Sequence, residues 1–230
     1  MTNIVILTGA GISAESGLGT FRDADGLWAK HNIEDVATPE GFARNPQLVV
    51  DFYNMRRAEA QKAQANAAHI ALAELETLHT GAVTLITQNV DDLHEKGGMQ
   101  NVLHMHGQLN SALCSSCDHR WPVARDMQVG ETCGDCGART ARPDIVWFGE
   151  MPYGMERIET ALSKADVFAA IGTSGNVYPA AGFVQMAKAY GAHTIELNLE
   201  PSAVVSQFDE TRFGKASETV PAWVHDLLQT

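Results

Sequence analysis

The start of the chain is an apolar segment that runs directly into a glycine-rich turn. Residues 3–7 contain four apolar side chains, and residues 8–17 contain three glycines among mostly small side chains. An apolar run of this length that ends at glycine is typical of a buried strand followed by a tight turn. Gly9 and Gly11 would let a phosphate reach backbone N–H groups at the start of a helix, whose dipole favours an anion.

This turn fits the fingerprint of dinucleotide-binding proteins, with Gly9, Gly11 and Ala14 at its small positions. Glycine-rich turns also occur without a ligand, so the turn alone leaves both readings open. Dehydrogenases carry an acidic residue about 20 residues further along that holds the ribose hydroxyls. Here residues 21–28 form a polar loop instead. We expect a nucleotide such as NAD, but not the usual arrangement for hydride transfer.

Three later apolar runs, at residues 82–87, 165–171 and 193–200, predict further strands. Small or polar side chains lie at their carboxyl ends, at residues 88–91, at residues 172–175 and at Asn198. Ligands bind beyond the carboxyl ends of the strands in open α/β sheets. These residues are therefore expected at the nucleotide site, although Asn89 and Asp91 would equally well cap the helix predicted at residues 92–96.

Two histidines lie on a short strand predicted at residues 101–107. Only one of His104 and His106 is expected to face a ligand, which argues against a metal-binding pair. Histidine titrates near neutral pH, so the one that faces the ligand is a candidate general base.

The four cysteines of the chain form two closely spaced pairs. Two residues separate Cys114 from Cys117 and Cys133 from Cys136, and fifteen residues lie between the pairs. This spacing predicts a four-thiolate zinc site, which leaves no position for water and is therefore structural. Two disulfides are the alternative, but they suit an oxidising compartment. A nucleic-acid-binding zinc ribbon is the other alternative, although arginines and acids balance in number between residues 110 and 142.

The region before the second strand predicts helices. Capping side chains indicate three helix starts, at Thr38, Asn45 and Asn66. On the second helix, Tyr53 and Arg56 share a face because they are three residues apart, so a phenol and a guanidinium can converge on one ligand. An exposed arginine beside a half-buried tyrosine is the commoner arrangement. Arg57 is assigned to the surface.

Charge and hydropathy exclude several classes of protein. The net charge of −12 and the isoelectric point near 5.1 argue against non-specific binding to nucleic acid. An acidic surface favours a cationic partner, although solubility explains it equally well. No apolar run reaches the roughly 18 residues of a membrane helix, and the N-terminus lacks the regions of a signal peptide. We therefore expect a cytoplasmic protein.

Strands that alternate with helices predict an α/β fold with a Rossmann-like parallel sheet. A single domain over residues 1–230 would contain a Rossmann-like lobe formed by residues 1–28, 78–109 and 143–230. A smaller lobe would contain a helical insertion at residues 29–77 and the zinc module at residues 110–142. The other predicted elements are a strand with its exit at residues 143–150, a helix at residues 179–190, a loop at residues 201–216 and a closing helix at residues 221–228. The cleft between the lobes is the expected site.

Residues 9–17, Thr20-Phe21-Arg22, residues 88–91, His106-Gly107 and the two cysteine pairs occur in this order along nearly the whole chain. In content and order they resemble the sirtuin family of NAD-dependent protein lysine deacylases. The resemblance implies NAD as a co-substrate, one structural zinc ion, His106 as the base and acylated lysine side chains of proteins as substrates. We expect a monomer without nucleic-acid or membrane partners.

The resemblance also implies the contacts of each substrate. NAD would be bound by Gly9, Ala10, Gly11, Ser13, Ala14, Gly17, Thr20, Phe21, Arg22, Gln88, Asn89, Val90, Asp91, Gly172, Thr173, Ser174, Asn198 and Ala216. Val90 and Asp91 would hold the nicotinamide carboxamide. An acyl-lysine peptide would lie between two segments that comprise Val146, Trp147, Phe148, Gly149, Gly175, Asn176, Val177 and Tyr178.

Tyr53-x-x-Arg56 resembles the sirtuins that remove succinyl and malonyl groups. His104 is expected to pack or to face solvent. The open alternatives are a mono-ADP-ribosyltransferase, which breaks the same bond of NAD, a hydride-transferring dehydrogenase and a zinc-ribbon binding module.

Overall fold

The computed structural model describes residues 2–19 and 31–229. Its strands are β1 (Ile4–Thr8), β2 (Val83–Thr87), β3 (Val102–His104), β4 (Gly107–Cys114), β5 (Arg120–Pro122), β6 (Ala141–Ile145), β7 (Val167–Ile171), β8 (His193–Asn198) and β9 (Glu210–Phe213). A parallel sheet has the order β3-β2-β1-β7-β8-β9, and an antiparallel sheet has the order β5-β4-β6. The predicted α/β fold with a Rossmann-like sheet is confirmed.

Helices cover both faces of the parallel sheet. The described helices are α1 (Gly11–Ala14), α2 (Ile33–Val36), α3 (Pro39–Arg44), α4 (Pro46–Lys62), α5 (Ala67–Leu78), α6 (Leu93–Lys96), α7 (Met155–Leu162), α8 (Phe183–Ala189) and α9 (Ala216–Leu228). Ile4 and Ile6 of β1 pack in one core with α5 and α9, whereas Val5 and Leu7 pack in a second core with α7 and α8. Burial on both faces explains the uninterrupted apolar sequence of β1.

The order of the parallel strands defines where a ligand would bind. β2 and β3 extend the sheet on one side of β1, and β7, β8 and β9 extend it on the other. The chain therefore changes direction between β1 and β7, and the carboxyl ends of these two strands flank a crevice. This crevice is the topological switch point at which α/β proteins bind nucleotides.

The antiparallel sheet and helices α2–α4 form a second packed region. Phe52 and Tyr53 of α4 pack with Leu109 and Trp147. Val50 packs with the antiparallel sheet and with Met127 of the loop after β5. The long helix α4 therefore contacts both the strands that lead out of the parallel sheet and the loops near the cysteines.

Three helix starts were predicted correctly from their capping residues. The Thr38 hydroxyl accepts the Gly41 amide, and the side-chain Oδ1 of Asn45 accepts the Leu48 amide. Asn66 caps α5, and its side chain also donates to the carbonyl of Ile12 at 2.8 Å. These caps satisfy amides that the first turn of a helix leaves without partners.

Four predictions about elements were wrong. Residues 201–216 are not a loop throughout, because they contain β9, a short edge strand with a polar sequence that gives no apolar signal. The strand predicted at residues 101–107 is β3, which ends at His104, whereas the strand with its exit predicted at residues 143–150 is present as β6 and the segment after it. The helix predicted at residues 179–190 is divided into a 3-10 turn and α8. The closing helix begins at Ala216 and contains Pro221 in its interior.

The packing of helix α5 concerns the predicted boundary between the two lobes. It was grouped with the helical insertion, but its buried side chains pack on the parallel sheet and on α9. This packing favours a lobe boundary near residue 66, and the division into lobes otherwise stays a prediction. No helix among the described residues is both long and apolar enough to cross a membrane.

Candidate active site

The turns that follow β1 and β7 meet at the switch point. The amide of Gly9 donates to the carbonyl of Ile171 at 3.0 Å, and the amide of Gly11 donates to the carbonyl of Gly172 at 2.8 Å. A Cβ atom on Gly9 or Gly11 would lie 2.8 Å from backbone atoms of Gly172, and one on Gly172 would lie 2.4 Å from the Ile12 nitrogen. Glycine is thus required for the two backbones to meet. Because α1 is a single turn, its dipole is weaker than the sequence suggested.

The loop after β2 is joined to this contact by side-chain hydrogen bonds. The Asn89 amide group donates to the Gly9 carbonyl and to the Ser13 hydroxyl, each at 3.1 Å. The Ser13 hydroxyl donates to Asp91 Oδ2 at 3.2 Å, and Asp91 Oδ1 accepts the amide of Leu93. Asp91 therefore accepts an amide of the following segment, whereas the Asn89 amide group bonds to Gly9 and Ser13 instead of capping it. Both side chains belong to one buried network with the glycine turn.

Asp91 is the ionisable group of this network. Burial raises its pKa, although hydrogen bonds from Leu93 and Ser13 and the positive charges of His104 and Arg56 act in the other direction. Burial likewise lowers the pKa of Arg56, and the negative charge of Asp91 opposes that shift. The two groups are therefore close enough for their charges to interact.

The ends of β2 and β8 both contact the turn after β7. Gln88 Nε2 donates to the Thr173 hydroxyl at 3.0 Å. Asn198 Nδ2 donates to the Thr173 carbonyl at 2.7 Å and to Glu196 Oε1 at 3.0 Å. These bonds fix the orientation of the Asn198 amide group. At the start of α9, beside Ala216, the hydroxyl of Ser217 donates to Glu15 at 2.6 Å.

The imidazole of His106 is half-buried beside the loop after β2. Its Nδ1 lies 3.2 Å from the carbonyl oxygen of Gln88. A carbonyl only accepts, so Nδ1 carries the hydrogen and Nε2 keeps its lone pair. Burial lowers the pKa of His106, and the bond to Gln88 opposes this effect only in part. A neutral imidazole of fixed tautomer suits a general base.

His104 differs from His106 in its charge. Its Nδ1 lies 3.1 Å from the Asn89 carbonyl oxygen and its Nε2 lies 2.7 Å from Glu95 Oε1. Both partners are acceptors, so both ring nitrogens carry hydrogen. Burial disfavours this charge, but the Glu95 carboxylate outweighs burial and raises the pKa of His104. His104 is buried, as the packing alternative required, and it anchors the loop that carries Asn89 and Asp91.

Tyr53 and Arg56 lie on the face of α4 that is turned toward the rest of the site. Tyr53 is 1% exposed, and its hydroxyl oxygen accepts the indole N–H of Trp147 at 3.2 Å. Burial raises the pKa of Tyr53 to about 12, so the phenol keeps its hydrogen. Arg56 is half-buried, with its guanidinium 6.0 Å from the centre of the Phe52 ring. A buried phenol and a cation therefore stand side by side.

The four cysteines converge as predicted. All four Sγ atoms lie within 4.8 Å of one another, with 3.6 Å between Cys114 and Cys136 and 3.8 Å between Cys117 and Cys133. A tetrahedral thiolate site with zinc–sulfur bonds of about 2.3 Å has sulfur–sulfur edges of about 3.8 Å. The donor set and its dimensions therefore fit a structural zinc ion, and the cysteines are not joined as disulfides.

The sequence model of the Sir2 family matches residues 9–179. The chain belongs to the Sir2 family. This Sir2 protein is 59% identical over 229 residues to the NAD-dependent protein deacylase of Vibrio parahaemolyticus, with 98% of the chain and 95% of the relative covered. It is 56% identical over 229 residues to the protein of the same name from Caulobacter vibrioides, with 98% and 96% covered. The resemblance to sirtuins is thereby confirmed.

Solved structures of Sir2 proteins share the fold. The crystal structure of a Sir2 homologue in complex with NAD is 40% identical, has a TM-score of 0.90, and covers 98% of this chain and 89% of its own. Sir2 bound to an acetylated peptide is 26% identical, has a TM-score of 0.81, and covers 97% of this chain and 92% of its own.

Eight residues of the predicted NAD set remain. Thr20, Phe21 and Arg22 fall outside the described residues. Of the other five, Ala14 ends α1, and the rest lie on the turns and loops that follow β1, β2 and β7, namely Ala10, Gly17, Val90 and Ser174.

Each of the two segments predicted to bind a peptide contains both buried and exposed residues. Residues 146–149 follow β6, where Trp147 is buried and Phe148 is exposed. Residues 175–178 follow β7, where Gly175 is buried and Tyr178 is exposed. The amide of Phe148 donates to the Ala37 carbonyl at 2.9 Å, which ties the first segment to the helices before α4.

The assignment of Arg57 to the surface was wrong. Arg57 is 1% exposed, its Nε donates to the Leu109 carbonyl at 2.7 Å, and its Nη1 donates to Asn54 Oδ1 at 2.7 Å. Asn54 in turn exchanges hydrogen bonds with the backbone of Met127. Arg57 and Asn54 thus attach α4 to the zinc-binding region. Only the approach of distant segments buries them, and no local pattern in the sequence signals it.

Proposed function

We propose that this Sir2 protein is an NAD-dependent deacylase that removes acyl groups from lysine side chains of proteins. The observation that carries the proposal is the position of His106. Its Nδ1 is bonded to Gln88, and Gln88 opens the loop that links the glycine turn, Asn89 and Asp91. A neutral base therefore stands beside a nucleotide-type crevice. The names of the relatives and the NAD complex of a homologue support the same activity.

NAD would lie across the carboxyl ends of the parallel strands. The residues proposed to hold it are Gly9, Ala10, Gly11, Ser13, Ala14, Gly17, Thr20, Phe21, Arg22, Gln88, Asn89, Val90, Asp91, Gly172, Thr173, Ser174, Asn198 and Ala216. The amides of Gly9 and Gly11 already bond to backbone carbonyls, so the phosphates would rely on other amides and hydroxyls of the two turns. Asn198 presents a fixed amide group suited to a ribose or base.

In the proposed reaction NAD supplies the ribose carbon that the acyl oxygen of the substrate attacks, with release of nicotinamide. His106 Nε2 accepts the proton of a ribose hydroxyl, so that this oxygen can take over the acyl group. With the addition of one water molecule, the products are nicotinamide, free lysine and O-acyl-ADP-ribose. The zinc ion takes no part in these steps and holds the region that contacts α4.

Tyr53 and Arg56 would select acyl groups that end in a carboxylate, such as succinyl and malonyl. The phenol of Tyr53 is protonated at neutral pH, and the guanidinium of Arg56 keeps its positive charge although burial lowers its pKa. A planar guanidinium pairs well with a terminal carboxylate. An acetyl group offers no such partner, so it would bind without this contact.

The most direct test follows the fate of matched peptides. One acetylated and one succinylated peptide of the same sequence are incubated with the protein, with and without NAD, and analysed by mass spectrometry. The proposal expects NAD-dependent loss of the acyl group and a product with the mass of O-acyl-ADP-ribose. Addition of ADP-ribose to protein, without deacylation, would instead identify a mono-ADP-ribosyltransferase.

The remaining parts of the proposal concern the setting of the enzyme. We propose that the peptide lies between residues 146–149 and residues 175–178. A monomeric state, a cytoplasmic location and the absence of nucleic-acid and membrane partners are predictions of the same kind. Gel filtration with light scattering and cell fractionation test them.

A further inference from the structure

The bond between Trp147 and Tyr53 determines how the Tyr53 hydroxyl can act. An indole nitrogen is only a donor, so the Tyr53 oxygen accepts the hydrogen of Trp147. The hydroxyl hydrogen of Tyr53 therefore points elsewhere, and it finds no acceptor among residues 2–19 and 31–229. A phenol held in this way has its hydrogen available to donate to a ligand.

The indole of Trp147 is itself held on several sides. The guanidinium of Arg142 lies 4.1 Å from the centre of the indole ring, and the ring of Phe42 lies 5.2 Å away, centre to centre, at a tilt. The backbone amide of Trp147 donates to Glu150 Oε2 at 2.8 Å. With 3% of Trp147 exposed, the ring has little freedom to turn its N–H away from Tyr53.

Glu150 accepts hydrogen bonds from both Arg142 and Trp147. Its Oε1 accepts Arg142 Nη2 at 2.8 Å, while its Oε2 accepts the amide of Trp147. The Arg142 side chain is 10% exposed, so this ion pair is largely shielded from water. A shielded, charge-assisted bond holds a side chain more firmly than an exposed pair does.

We infer that Arg142 is a positioning residue for acyl selectivity, because with Glu150 it fixes the Trp147 indole so that the Tyr53 hydroxyl donates to an acidic acyl group. This inference rests on the proposed function and adds a residue to it. A cation over the indole face also makes the indole N–H a stronger donor, which in turn strengthens the Tyr53 hydroxyl as a donor. The positive charge of Arg142 reaches Tyr53, since it lowers the pKa of that phenol against the effect of burial.

The contribution of Arg142 should depend on the acyl group. A succinyl carboxylate accepts the Tyr53 hydroxyl, so it loses binding when that hydroxyl turns away. An acetyl group has no carboxylate and makes no such bond. The ratio of desuccinylation to deacetylation therefore reports the arrangement, whereas a general loss of stability lowers both activities together.

The test compares Arg142→Met with the wild-type protein on succinylated and acetylated peptides of one sequence. We expect the ratio of the two kcat/KM values to fall about tenfold, the size of one charge-assisted hydrogen bond, with most of the loss in KM for the succinylated peptide. Zinc content and melting temperature are measured for each variant to establish that it is folded.

Arg125→Met is the matched control. Arg125 pairs with Glu131 at 2.8 Å, and Glu131 accepts the amide of Gln128 three residues before it, as Glu150 accepts that of Trp147. Arg125 is exposed, and within the described part of the chain it donates only to groups of its own loop, so its removal should leave the ratio unchanged.

A double-mutant cycle with Tyr53→Phe shows whether Arg142 acts through the hydroxyl. In the Tyr53→Phe background, Arg142→Met should change the ratio less than twofold, because the group it positions is gone. Should Arg142→Met fail to fold, Glu150→Gln and Trp147→Phe, with the same ratio and the same cycle, take its place.

Three outcomes would overturn the inference. A folded Arg142→Met protein with the wild-type ratio contradicts this inference and leaves the proposed function intact. The same holds if Arg142→Met lowers the ratio as much in the Tyr53→Phe background as in the wild-type protein. If the wild-type protein deacetylates but does not desuccinylate, the acidic acyl group that the inference requires is not a substrate, and the inference fails. A wild-type protein that cleaves neither peptide overturns the proposed function, and this inference with it.

Discussion

The two walls of the proposed site are built in different ways. On the wall formed by the parallel sheet, the turns after β1, β2 and β7 are joined by backbone bonds and by hydrogen bonds of the side chains Ser13, Gln88, Asn89 and Asp91. On the wall formed by α4 and β6, buried guanidinium groups of Arg57 and Arg142 hold the segments together. The zinc site lies on the side of this second wall.

This difference in construction separates the features that follow from the fold from those that are particular to this enzyme. The first wall follows from parallel strands that end together, and two large apolar cores support it. The second wall has smaller apolar clusters and depends on a metal and on single polar side chains. We therefore expect changes to the first wall to affect the reaction itself, and changes to the second wall to affect acyl choice, unless the metal is lost.

Removal of a zinc ligand should have the largest effect. Cys133→Ser is expected to lose zinc and all measurable deacylation, because structural zinc contributes about 10–16 kcal/mol to the folding of small modules. Ser116→Ala, in the turn of the first cysteine pair, should keep both. Metal analysis, circular dichroism and the peptide assay measure the effect. A metal-free Cys133→Ser protein with wild-type activity would show that the second wall needs no metal.

His106→Ala should remove the general base from the first wall without changing the structure of that wall. Turnover of both peptides should fall about 10²- to 10⁴-fold, the usual contribution of a general base. Binding of NAD, followed by calorimetry, should change little, and the exposed His225→Ala serves as the control. Retention of more than a tenth of the activity would remove His106 from the role of base.

Arg56→Met should alter the second wall selectively. Desuccinylation should fall about 10- to 150-fold in kcat/KM, since a hydrogen bond to a charged group contributes about 1.5–3 kcal/mol. Deacetylation should change less than about twofold if the guanidinium contacts only the acyl carboxylate. Arg44→Met, an exposed arginine on α3, is the control. Equal losses on both peptides would assign Arg56 to general binding.

The pH dependence should show the smallest effect. Because burial lowers the pKa of His106 below its ordinary value of 6.5, the neutral base persists into mildly acidic solution. The kcat/KM for either peptide should decline as pH falls, with a midpoint below 6.5. A midpoint above that value would mean that a carboxylate governs the imidazole, as Glu95 does for His104.

Much of the first wall could be predicted from the sequence. Apolar runs that end in glycine or amide residues marked β1, β2 and β7, and the fixed topology of parallel sheets brings such ends together. The cysteine spacing and the helix caps were equally readable, because each depends on residues close in the sequence. The reason for the glycines was not readable, since it lies in the contact between two distant turns.

The second wall was largely hidden from the sequence. Arg56 and Arg57 are neighbours in the chain, yet one faces the site and the other is buried against Leu109. The stacking of Arg142 on Trp147 arises where the chain leaves β6, and no periodic pattern in the sequence predicts it. Burial of charged side chains is decided by tertiary packing, so helix periodicity and composition carry little information about it.

The stoichiometry of the reaction tests the central claim most directly. Nicotinamide release and free lysine are quantified together, with acylated and unacylated forms of the same peptide. The proposed function predicts one nicotinamide for each lysine freed and none above background with the unacylated peptide. Lysine freed without nicotinamide, or nicotinamide released equally with the unacylated peptide, would contradict it.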